Sequence, residues 1–405
     1  MSDIDAADIV IVGGGPAGML AGLLFARAGI STLVLEKHGD FLRDFRGDTV
    51  HPSTMEVLDQ LGMLERFLQR PHTRLHEARG TIAGQEVVIG DLSHLKVAAP
   101  FIAIMPQWDF LDFLRDEATA FPRFRLELNA GVTRLLDDGQ RITGVELGDG
   151  RTIKARKLVI AADGRGSIVR RDGWLAVTEI GSAIDVFWFR VPKAEDGGDA
   201  LRGIVAPGTL LVLIDRGDYW QCGYVFRKGM GAQLQAGGIA ALRARIEAVA
   251  PILGPLDTVL TDMDQMHLLT VKIDRLDCWH RPGLLAIGDA AHAMSPVGGI
   301  GINLAIQDAV AAANVLAVAL RRSANVDHML GKVEARRGLP TRLTQRAQQV
   351  AQDRIIGAVL SPGSSFNRPP WPVRLLGRFP LLRRIPGRMI GLGFRREIVR
   401  SPLAP

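Results

Sequence analysis

The first 36 residues alternate between short apolar runs and a glycine-rich turn. The run DIVIV at residues 8–12 has the length and β-branched content of a buried strand. GGGPAG follows, and an Ala/Leu-rich stretch then predicts a helix to about Ala28, with Gly29 at its C-terminus. STLVL at residues 31–35 predicts a second strand that ends at Glu36. Together they predict a βαβ unit of about 30 residues.

Further along the chain the period of the apolar positions changes twice. Alternating apolar and polar residues, with DDG and GDG as turns, predict a β-meander over about 124–163. Strand-like segments such as VFWFRVP and LLVLIDRGDYWQCGYVF dominate 178–272 and predict a second, sheet-based domain. LLAI at 284–287 predicts a buried strand that returns to the first domain. Helices are expected over about 303–322 and 327–356.

Composition sets the broad class. A chain of 405 residues with 47% apolar and 23% charged residues is long enough for two joined domains. The acidic first residues do not resemble a secretion signal, and no stretch of about 20 apolar residues is expected to span a membrane. We therefore expect a cytoplasmic protein.

The cysteines and histidines exclude two classes of site. Cys222 and Cys278 are far apart in sequence, which fits a reducing compartment and excludes an enzyme with a closely spaced redox cysteine pair. The nine histidines show no HExxH or similar pattern, so no metal site is expected.

The first chemical motif is the turn after the first strand. Gly13, Gly15 and Gly18 allow a tight turn, a close approach of a pyrophosphate to the backbone, and close helix–strand packing. Glu36 follows where a carboxylate accepts hydrogen bonds from ribose hydroxyls. An ordinary tight turn would not require Glu36, so the combination predicts dinucleotide binding.

The second motif is LLAIGDAAHAMSPVGGIGINLAIQDA, at residues 284–309. Its strand ends at Asp289, which can accept a hydrogen bond from a ribitol hydroxyl. The glycine-rich loop that follows offers backbone amides, and a helix begins beside Asn303. A helix N-terminus under the N1/C2=O edge of a flavin would stabilise the charge of the reduced ring. The alternative is a glycine-rich loop that only caps a buried helix.

The third motif is AADGRGSIVR, at residues 161–170. A strand ends at Asp163, and Arg165 and Arg170 follow. This segment is suited to bind the phosphates and ribose of a cofactor or of NAD(P)H. An exposed basic turn is the alternative.

In this order and spacing the three motifs resemble the class A FAD-dependent monooxygenases, the p-hydroxybenzoate hydroxylase and ubiquinone-biosynthesis hydroxylase superfamily, over about residues 5–350. The resemblance implies an α/β fold, with a Rossmann-like FAD-binding domain (GR2-type), an interleaved β-sheet substrate domain and C-terminal helices. The implied boundaries are 1–75, 101–177 and 273–350 for the FAD-binding domain, 76–100 and 178–272 for the substrate domain, and 351–405 for a basic, helical C-terminal segment.

The resemblance also implies a set of cofactor-binding residues. The pyrophosphate would be held by Gly13, Gly15 and Gly18, and the ribose by Glu36, with Ala17 and Lys37 as further cofactor-binding residues. Arg46 would contact the flavin side, Gln107 the ribitol, and Val132 the adenine through its backbone. Asp163 and Asp289 would be the acidic residues of the family's DG and GD motifs, and the flavin edge would be contacted by Gly301, Ile302 and Asn303. No residue is identified as catalytic.

The activity implied is hydroxylation of an aromatic, quinone-like or other electron-rich small molecule through a flavin C4a-hydroperoxide. Non-covalent FAD would be the cofactor, with NAD(P)H and O₂ as co-substrates. The alternatives are a reductase or dehydrogenase of the same fold, of the prenyl-chain saturase type, and a flavin-bound sensor without turnover. Asp44 stands where the family has an arginine that serves NAD(P)H, and the family's substrate-binding tyrosines and serines have no match. The chain ends before the thioredoxin-like third domain of the phenol hydroxylase branch.

Four further side chains have two interpretations. His51 follows the Arg46 segment and is interpreted as a surface or helix-capping residue rather than a general base. Trp188, Tyr224 and Phe226 lie on predicted strands, and core packing is preferred over a role in the substrate pocket.

The basic residues concentrate at the C-terminus. Residues 371–405 hold eight arginines and one glutamate, so the rest of the chain is close to neutral and no nucleic-acid groove is expected. One interpretation is peripheral membrane contact that admits a lipophilic substrate. Pro372, Pro380 and Pro386 interrupt a long amphipathic helix, so we prefer a segment packed over the first domain with solvated arginines.

Overall fold

A computed structural model describes residues 6–42, 48–193, 201–360 and 369–404. The strands are β1 (Ala6–Val12), β2 (Thr32–Leu35), β3 (Thr49–Val50), β4 (Thr73–Leu75), β5 (Glu77–Ile82), β6 (Gln85–Asp91), β7 (Ile102–Ile104), β8 (Phe124–Glu127), β9 (Val132–Asp137), β10 (Ile142–Leu147), β11 (Thr152–Ala161), β12 (Val177–Glu179), β13 (Ile184–Pro192), β14 (Leu201–Ala206), β15 (Thr209–Asp215), β16 (Tyr219–Arg227), β17 (His267–Leu269), β18 (Asp274–Leu276), β19 (His280–Arg281), β20 (Leu284–Ala286) and β21 (His292–Ala293).

The helices are α1 (Pro16–Arg27), α2 (Pro52–Gln60), α3 (Leu64–Leu68), α4 (Gln107–Thr119), α5 (Ile168–Arg171), α6 (Gly231–Ala236), α7 (Gly238–Val249), α8 (Gly301–Arg321), α9 (Asp327–Ala351), α10 (Gly357–Val359), α11 (Trp371–Arg378) and α12 (Arg384–Leu392). Short 3₁₀ turns lie at Pro251–Leu253, Met263–Gln265, Gly288–Ala290, Val297–Gly299 and Pro380–Arg383, and a π turn lies at Gln352–Ile356.

Strand β1 is central in the first sheet, whose order is β19-β20-β11-β1-β2-β8 with β10 and β9 beyond β11. Ile9 and Ile11 pack towards helices α1, α4 and α8, whereas Val10 and Val12 pack towards the β9–β10 hairpin. Because both faces of β1 are covered, its sequence is a nearly continuous apolar run. The predicted α/β fold with a parallel sheet in the first domain is confirmed.

The parallel strands place their carboxyl ends at one edge of this sheet. Strand β1 pairs in parallel with β11 and β2, and β11 pairs in parallel with β20. The chain leaves these strands at Gly13, Glu36, Ala162 and Ile287. Three glycine-rich or acidic motifs that are distant in sequence therefore meet at the edge where open α/β sheets bind ligands.

The second sheet has the order β17-β13-β16-β15-β14-β5-β6. Its strands are antiparallel except for β14 and β5, so β5 and β6 complete a sheet built mainly by residues 184–269. Phe187 and Phe189 face a core shared with α7. Trp188 faces the opposite side, towards the first domain.

The C-terminal segment packs in two different places. Helix α12 lies against β6 and α2, where a Cβ at Gly387 would come within 1.9 Å of the Asp91 carbonyl oxygen. The last residues return to the first domain, since the backbone N–H of Ala404 donates to the Arg27 carbonyl. The contacts of α12 with α2 and of the last residues with Arg27 agree with the expectation of a segment packed over the first domain, but α11 and α12 also lie against β6 of the second sheet.

One helix corrects an expectation from composition. Residues Val297–Arg321 form a helical stretch that is long and apolar enough to span a membrane, although none was expected. Of its most apolar part, 78% is buried inside the fold. Its apolar faces contact α1 and α9, so it is a core helix of the first domain.

Candidate active site

The glycine turn after β1 has the geometry that a bound pyrophosphate requires. Gly13 has φ +104, and a Cβ there would lie 2.5 Å from the Ala162 carbonyl oxygen. A Cβ at Gly18 would lie 1.9 Å from the Gly13 carbonyl oxygen. Around Gly15, in contrast, no atom of the described residues lies within 4 Å of a built Cβ. The turn is therefore closed towards the protein and open on one side, at the N-terminus of α1.

Glu36 holds the turn from the end of β2. Its Oε2 accepts a hydrogen bond from the backbone N–H of Gly14 at 2.9 Å, and its Oε1 accepts one from His38 at 3.1 Å. The side chain is buried, with 8% of its surface exposed. Glu36 thus organises the turn, and its contact with a ribose stays a prediction.

Asp163 follows β11 and faces the same edge. Its Oδ2 accepts a hydrogen bond from the backbone N–H of Ile168 at 2.8 Å. Its Oδ1 is buried and has no hydrogen-bond partner among the described residues. Burial raises the pKa of this carboxyl, although Ser167 and Ile168 oppose the shift. An orphaned buried acceptor of this kind fits a hydroxyl donor supplied by a cofactor.

Gly288 brings the second motif against the first. It has φ +60, and a Cβ there would lie 3.1 Å from Ala17 Cβ and 3.2 Å from Ala305 Cβ. Helices α1 and α8 thus meet at the end of β20. The next residue, Asp289, is partly exposed, and its Oδ2 lies 3.8 Å from Arg165 Nε.

Arg170 stabilises the Gly288–Asp289 loop, a role that the motif did not predict. Its guanidinium donates to the carbonyl oxygens of Asp289 and Ala290 at 2.9 and 2.8 Å and pairs with Asp274 at 2.6 Å. Only 9% of the Arg170 side chain is exposed. It is therefore committed to the protein rather than to cofactor phosphates.

A buried ion network supports the same loop from behind. Asp308, on α8, lies 2.6 Å from His292 Nε2, accepts from Arg337 Nε at 2.9 Å, and accepts from the backbone N–H of Gly288 at 3.1 Å. Burial alone would raise the pKa of Asp308, but His292 and Arg337 together hold it below its ordinary value. The network therefore keeps a charged carboxylate in the core.

The third part of the site is the start of α8. Gly301 begins the helix, and no atom of the described residues lies within 4 Å of a Cβ built on it. Asn303 Oδ1 accepts hydrogen bonds from the backbone N–H of His51 at 3.0 Å and from Thr54 Oγ1 at 2.7 Å. The Asn303 side chain thus fixes the start of α8 to α2. Ile302, which stands between Gly301 and Asn303, is buried.

The remaining predicted residues lie around this edge. Lys37 is exposed beside Gly131, and the next residue, Val132, begins β9. Gln107 is the first residue of α4 and is half-buried. Arg46 and Asp44 lie outside the described residues. The structure thus brings the two glycine motifs, Glu36 and Asp163 together, while the contacts of every predicted residue with FAD stay a prediction.

His51 is the N-cap residue of α2, as the helix-capping interpretation predicted, but it is not a surface residue and its side chain makes no cap hydrogen bond. It precedes α2, is completely buried, and its Nδ1 lies 2.7 Å from the Ile390 carbonyl oxygen of α12. Its Nε2 has no partner among the described residues. Burial lowers the pKa of His51 to about 4, against the opposing hydrogen bond to Ile390. The imidazole is therefore neutral near pH 7, with Nδ1–H donating to the carbonyl.

A second ion pair that sequence reasoning missed joins the two domains. Asp48, next to the Arg46 segment, pairs with Arg216, which follows β15, and accepts from Gln221 Nε2 at 2.8 Å. The Arg216 and Asp48 side chains are 3% and 5% exposed. Burial raises the pKa of Asp48, although Arg216 and Gln221 oppose the shift. The only hint in the sequence is that each residue stands beside a candidate segment.

Tyr224 and Phe226 lie on one face of the second sheet, and Trp188 lies on the other. Tyr224 and Phe226 are buried in the core between the second sheet and α7, which agrees with the preferred packing interpretation. Trp188 is half-buried on the opposite face. It belongs to an apolar cluster between the second sheet and the first domain, which we call the inter-sheet cluster; it contains Leu75, Leu92, Leu95, Val97, Ile102, Ile104, Trp188, Leu201, Val212, Ile214, Ile390 and Leu392.

The described residues fit FAD. An open glycine turn at a helix N-terminus suits the pyrophosphate, the orphaned oxygen of Asp163 suits a hydroxyl, and the open start of α8 suits an electron-rich ring edge. A model of the FAD binding domain family matches residues 6–347. The chain belongs to the class A FAD-dependent monooxygenases.

Curated relatives of this monooxygenase match most or nearly all of its length. The 6-methylpretetramide 4-monooxygenase of Streptomyces rimosus is 34% identical over 98% of this chain and 94% of its own length. The 6-hydroxy-3-succinoylpyridine 3-monooxygenase of Pseudomonas putida is 26% identical over 76% of this chain and 78% of its own. Hydroxylation of an aromatic compound with FAD as cofactor is thereby established for the chain, and NAD(P)H is the family's typical reductant.

A solved structure shows the same fold. The p-nitrophenol 4-monooxygenase of Pseudomonas putida superposes with a TM-score of 0.76 at 20% identity, covering 96% of this chain and 100% of that one. The fold class and the FAD assignment predicted from the sequence are confirmed.

Proposed function

We propose that the substrate of this monooxygenase is a fused polycyclic phenol. The observation that carries the proposal is the 34% identity over 98% of the chain with an enzyme named for 6-methylpretetramide, a fused-ring aromatic compound. Similarity along the full length includes the second sheet, which in this proposal forms the wall of the substrate pocket. Quinone-like compounds share the flat shape and belong to the same proposal.

The inter-sheet cluster supports a flat, apolar substrate. Trp188, Leu201 and Val212 are only partly buried. Trp188 on β13 and Val212 on β15 flank Gly223 of the intervening strand β16, and Leu201 lies on β14, the next strand after β15. An aromatic surface of this kind favours stacking and excludes water from a ring that lies against it. Ile390 adds a contribution from α12.

The work of the protein is binding, positioning and exclusion of water. Bound FAD, once reduced, supplies the electrons and activates O₂. The turn is open at Gly15, at the N-terminus of α1, and receives the pyrophosphate there, Asp163 offers its free oxygen to a hydroxyl, and the start of α8 favours negative charge at its N-terminus. Buried ion pairs at Asp308 and Asp48 keep these elements in register.

A panel of phenols tests the substrate class. The reconstituted holoenzyme is mixed with single-ring phenols, naphthols and three- and four-ring phenols, while NAD(P)H oxidation and O₂ uptake are followed. We expect fused-ring phenols to stimulate NAD(P)H oxidation roughly tenfold or more above single-ring phenols, with a product heavier by one oxygen atom. Equal stimulation by single rings contradicts the proposal. Turnover without O₂ uptake would instead indicate a reductase or dehydrogenase, the prenyl-chain saturase type included.

A pair of tryptophan variants locates the pocket. Trp188→Ala removes the ring from the inter-sheet cluster, whereas Trp371→Ala changes a side chain that is 70% exposed on α11. We expect Trp188→Ala to raise KM for the best fused phenol by roughly tenfold, about 1.4 kcal/mol, with FAD still bound. An unchanged KM in Trp188→Ala would remove this face from the pocket.

We also propose that helices α11 and α12 touch an anionic membrane, from which a lipophilic substrate would enter. Trp371, Leu381 and Ile385 are 70%, 68% and 60% exposed. Residues 369–396 contain seven arginines and no acidic residue, so charge complementarity favours anionic lipid.

Vesicle co-sedimentation tests this contact. Deleting the segment would remove the hydrogen bond between His51 and Ile390, so substitutions in the intact chain are the sharper test. The unmodified holoenzyme is expected to sediment with phosphatidylglycerol vesicles. The triple variant Trp371→Ser, Leu381→Ser, Ile385→Ser is expected not to bind them. The proposal is contradicted if both proteins sediment equally with the vesicles, or if neither does. If the unmodified enzyme forms oligomers that the variant does not form, the exposed residues make a contact between protein chains instead.

A further inference from the structure

We propose that Cys278, His280 and Glu334 bind one divalent cation of the Zn²⁺ class. The Cys278 Sγ, the His280 Nδ1 and a carboxylate oxygen of Glu334 all lie within 4.8 Å of one another. These residues stand at the outer edge of the first sheet and are separate from the motifs that form the FAD site.

The short segment between β18 and β19, with bends at Asp277 and Trp279, places two of the ligands side by side. Cys278 is exposed and His280 is half-buried, whereas Trp279 between them is buried in the protein. Trp279 is buried, and its ring centre lies 5.0 Å from that of His292. This anchor fixes the segment and holds Cys278 Sγ 3.5 Å from His280 Nδ1.

Helix α9 supplies the third ligand. Glu334 Oε2 accepts a hydrogen bond from the backbone N–H of Trp279 at 3.0 Å and lies 3.1 Å from His280 Nδ1. One turn earlier, Gly331 leaves room for the imidazole, since a Cβ there would lie 3.3 Å from His280 Cε1. The carboxylate is thus held by the backbone, independently of any cation.

Two of the three distances between ligand atoms are close to those of tetrahedral coordination, and the third lies within 4.8 Å. Bond lengths of about 2.3 Å to sulfur and about 2.0 Å to nitrogen or oxygen place neighbouring ligand atoms about 3.3–3.6 Å apart. The distances of 3.5 Å from Sγ to Nδ1 and 3.1 Å from Nδ1 to Oε2 need only small adjustments. Sulfur, imidazole and carboxylate together favour Zn²⁺ or Co²⁺ over Mg²⁺ or Ca²⁺.

The charges of the ligands and the cavity beside Glu334 indicate which group suits the fourth coordination position of the cation. Binding releases the thiol proton of Cys278, so one thiolate and one carboxylate neutralise the cation. Neutral His280 then keeps its proton on Nε2 and coordinates through Nδ1. Beside Glu334 lies a cavity of about 250 Å³ that Arg275 and Arg342 also line. The open position therefore suits a water molecule or a small anion.

The sequence conceals this site. Glu334 comes 54 residues after His280, and only the packing of α9 against β19 brings them together. No spacing rule for metal ligands covers such a separation, which is why the cysteines and histidines indicated none.

Titration of the chelator-treated holoenzyme with Co²⁺ tests the proposal. Thiolate-bound tetrahedral Co²⁺ gives strong visible d–d bands at wavelengths beyond the flavin absorption. We expect one Co²⁺ per chain, displaced by Zn²⁺, with release of one proton. Cys278→Ser should abolish the thiolate-to-cobalt charge transfer and weaken binding roughly 10–100-fold.

Two further variants make the result specific. Glu334→Gln keeps an acceptor for the Trp279 N–H but loses the charge, and is also expected to bind roughly tenfold or more weakly. Cys222→Ala changes the buried second cysteine and should bind Co²⁺ like the unmodified enzyme. Absence of stoichiometric bands, bands that survive Cys278→Ser, or bands lost in Cys222→Ala with its flavin spectrum intact would overturn the proposal.

Discussion

The carboxylate of Asp308 accepts a hydrogen bond from the backbone N–H of Gly288 at 3.1 Å. The same carboxylate pairs with Arg337, which donates from Nη1 to the Arg395 carbonyl at 3.0 Å. One buried group thus links the loop that carries Asp289 to helix α9 and to the C-terminal segment. We infer that this network sets the position of the flavin loop as well as the stability of the core.

Asp308→Asn should therefore weaken both folding and FAD binding. The variant leaves Arg337 buried without its full counter-charge, a change that typically costs about 3–5 kcal/mol. Urea denaturation of the holoenzyme measures the first effect, and flavin fluorescence titration the second. Asp116→Asn is the control, since its pair with Arg70 is 47% and 39% exposed. It should change stability by less than about 1 kcal/mol. Similar values for the two variants would contradict the role given to Asp308.

Alanine substitutions at two glycines of the first turn should have different effects, one on FAD binding and the other on folding. Gly15→Ala places its methyl group where no atom of the described residues lies within 4 Å, so the protein should fold normally. The same methyl group stands where the pyrophosphate approaches, so FAD affinity should fall roughly tenfold or more. Gly18→Ala meets the Gly13 carbonyl oxygen at 1.9 Å and should destabilise the fold itself.

Fluorescence titration with FAD and thermal unfolding of the apoprotein separate these effects. Gly377→Ala is the control, because it too meets no described atom within 4 Å and lies on α11, outside the FAD site. If Gly15→Ala binds FAD as tightly as Gly377→Ala, the pyrophosphate does not approach this turn.

Local patterns carried much of the information about the first domain. The apolar run at β1, the glycine turn and Glu36 are contiguous in sequence, so period and turn chemistry were enough to predict how they fold. The motifs at Asp163 and Asp289 could be predicted for the same reason, since each follows directly on an apolar strand. Their meeting at one edge followed from parallel pairing, a general property of such sheets.

Contacts between distant segments could not be predicted. Asp48 and Arg216 stand among polar residues and glycines, and nothing in their local pattern shows that each neutralises the other. His51 was interpreted as exposed because its burial depends on α12, more than 300 residues later. Composition also failed to identify helix α8 as apolar enough to span a membrane, since neutral polar residues such as Asn303 and Gln307 interrupt its apolar run.

His51 should make stability depend on pH. Its pKa is lowered from 6.5 to about 4 in the folded protein, so between these values the unfolded chain binds a proton that the folded chain does not. The contribution of His51 to the free energy of unfolding is therefore fully present above pH 6.5, and it falls by about 3 kcal/mol as the pH drops to about 4. Urea unfolding of the unmodified enzyme and of His51→Gln across this range measures the difference. A pH-independent difference would show that His51 titrates normally.

Asp48 and Arg216 should show strong energetic coupling. Arg216→Gln leaves a buried carboxylate whose pKa is already raised by burial, so the residue must take up a proton or remain as an unpaired charge. Each single variant, Arg216→Gln or Asp48→Asn, is expected to lose about 3–5 kcal/mol.

The double variant removes both charges and replaces them with amides that can hydrogen-bond to each other. It should therefore be more stable than the sum of the single losses predicts, by more than about 1 kcal/mol. Urea unfolding of the four proteins at one pH gives this coupling energy directly. Losses that add within about 0.5 kcal/mol would mean that the two side chains act independently. In that case the pair of Asp48 with Arg216 would not be what joins Asp48 to the second sheet, and Gln221, which donates to the same carboxylate, would be the next residue to change.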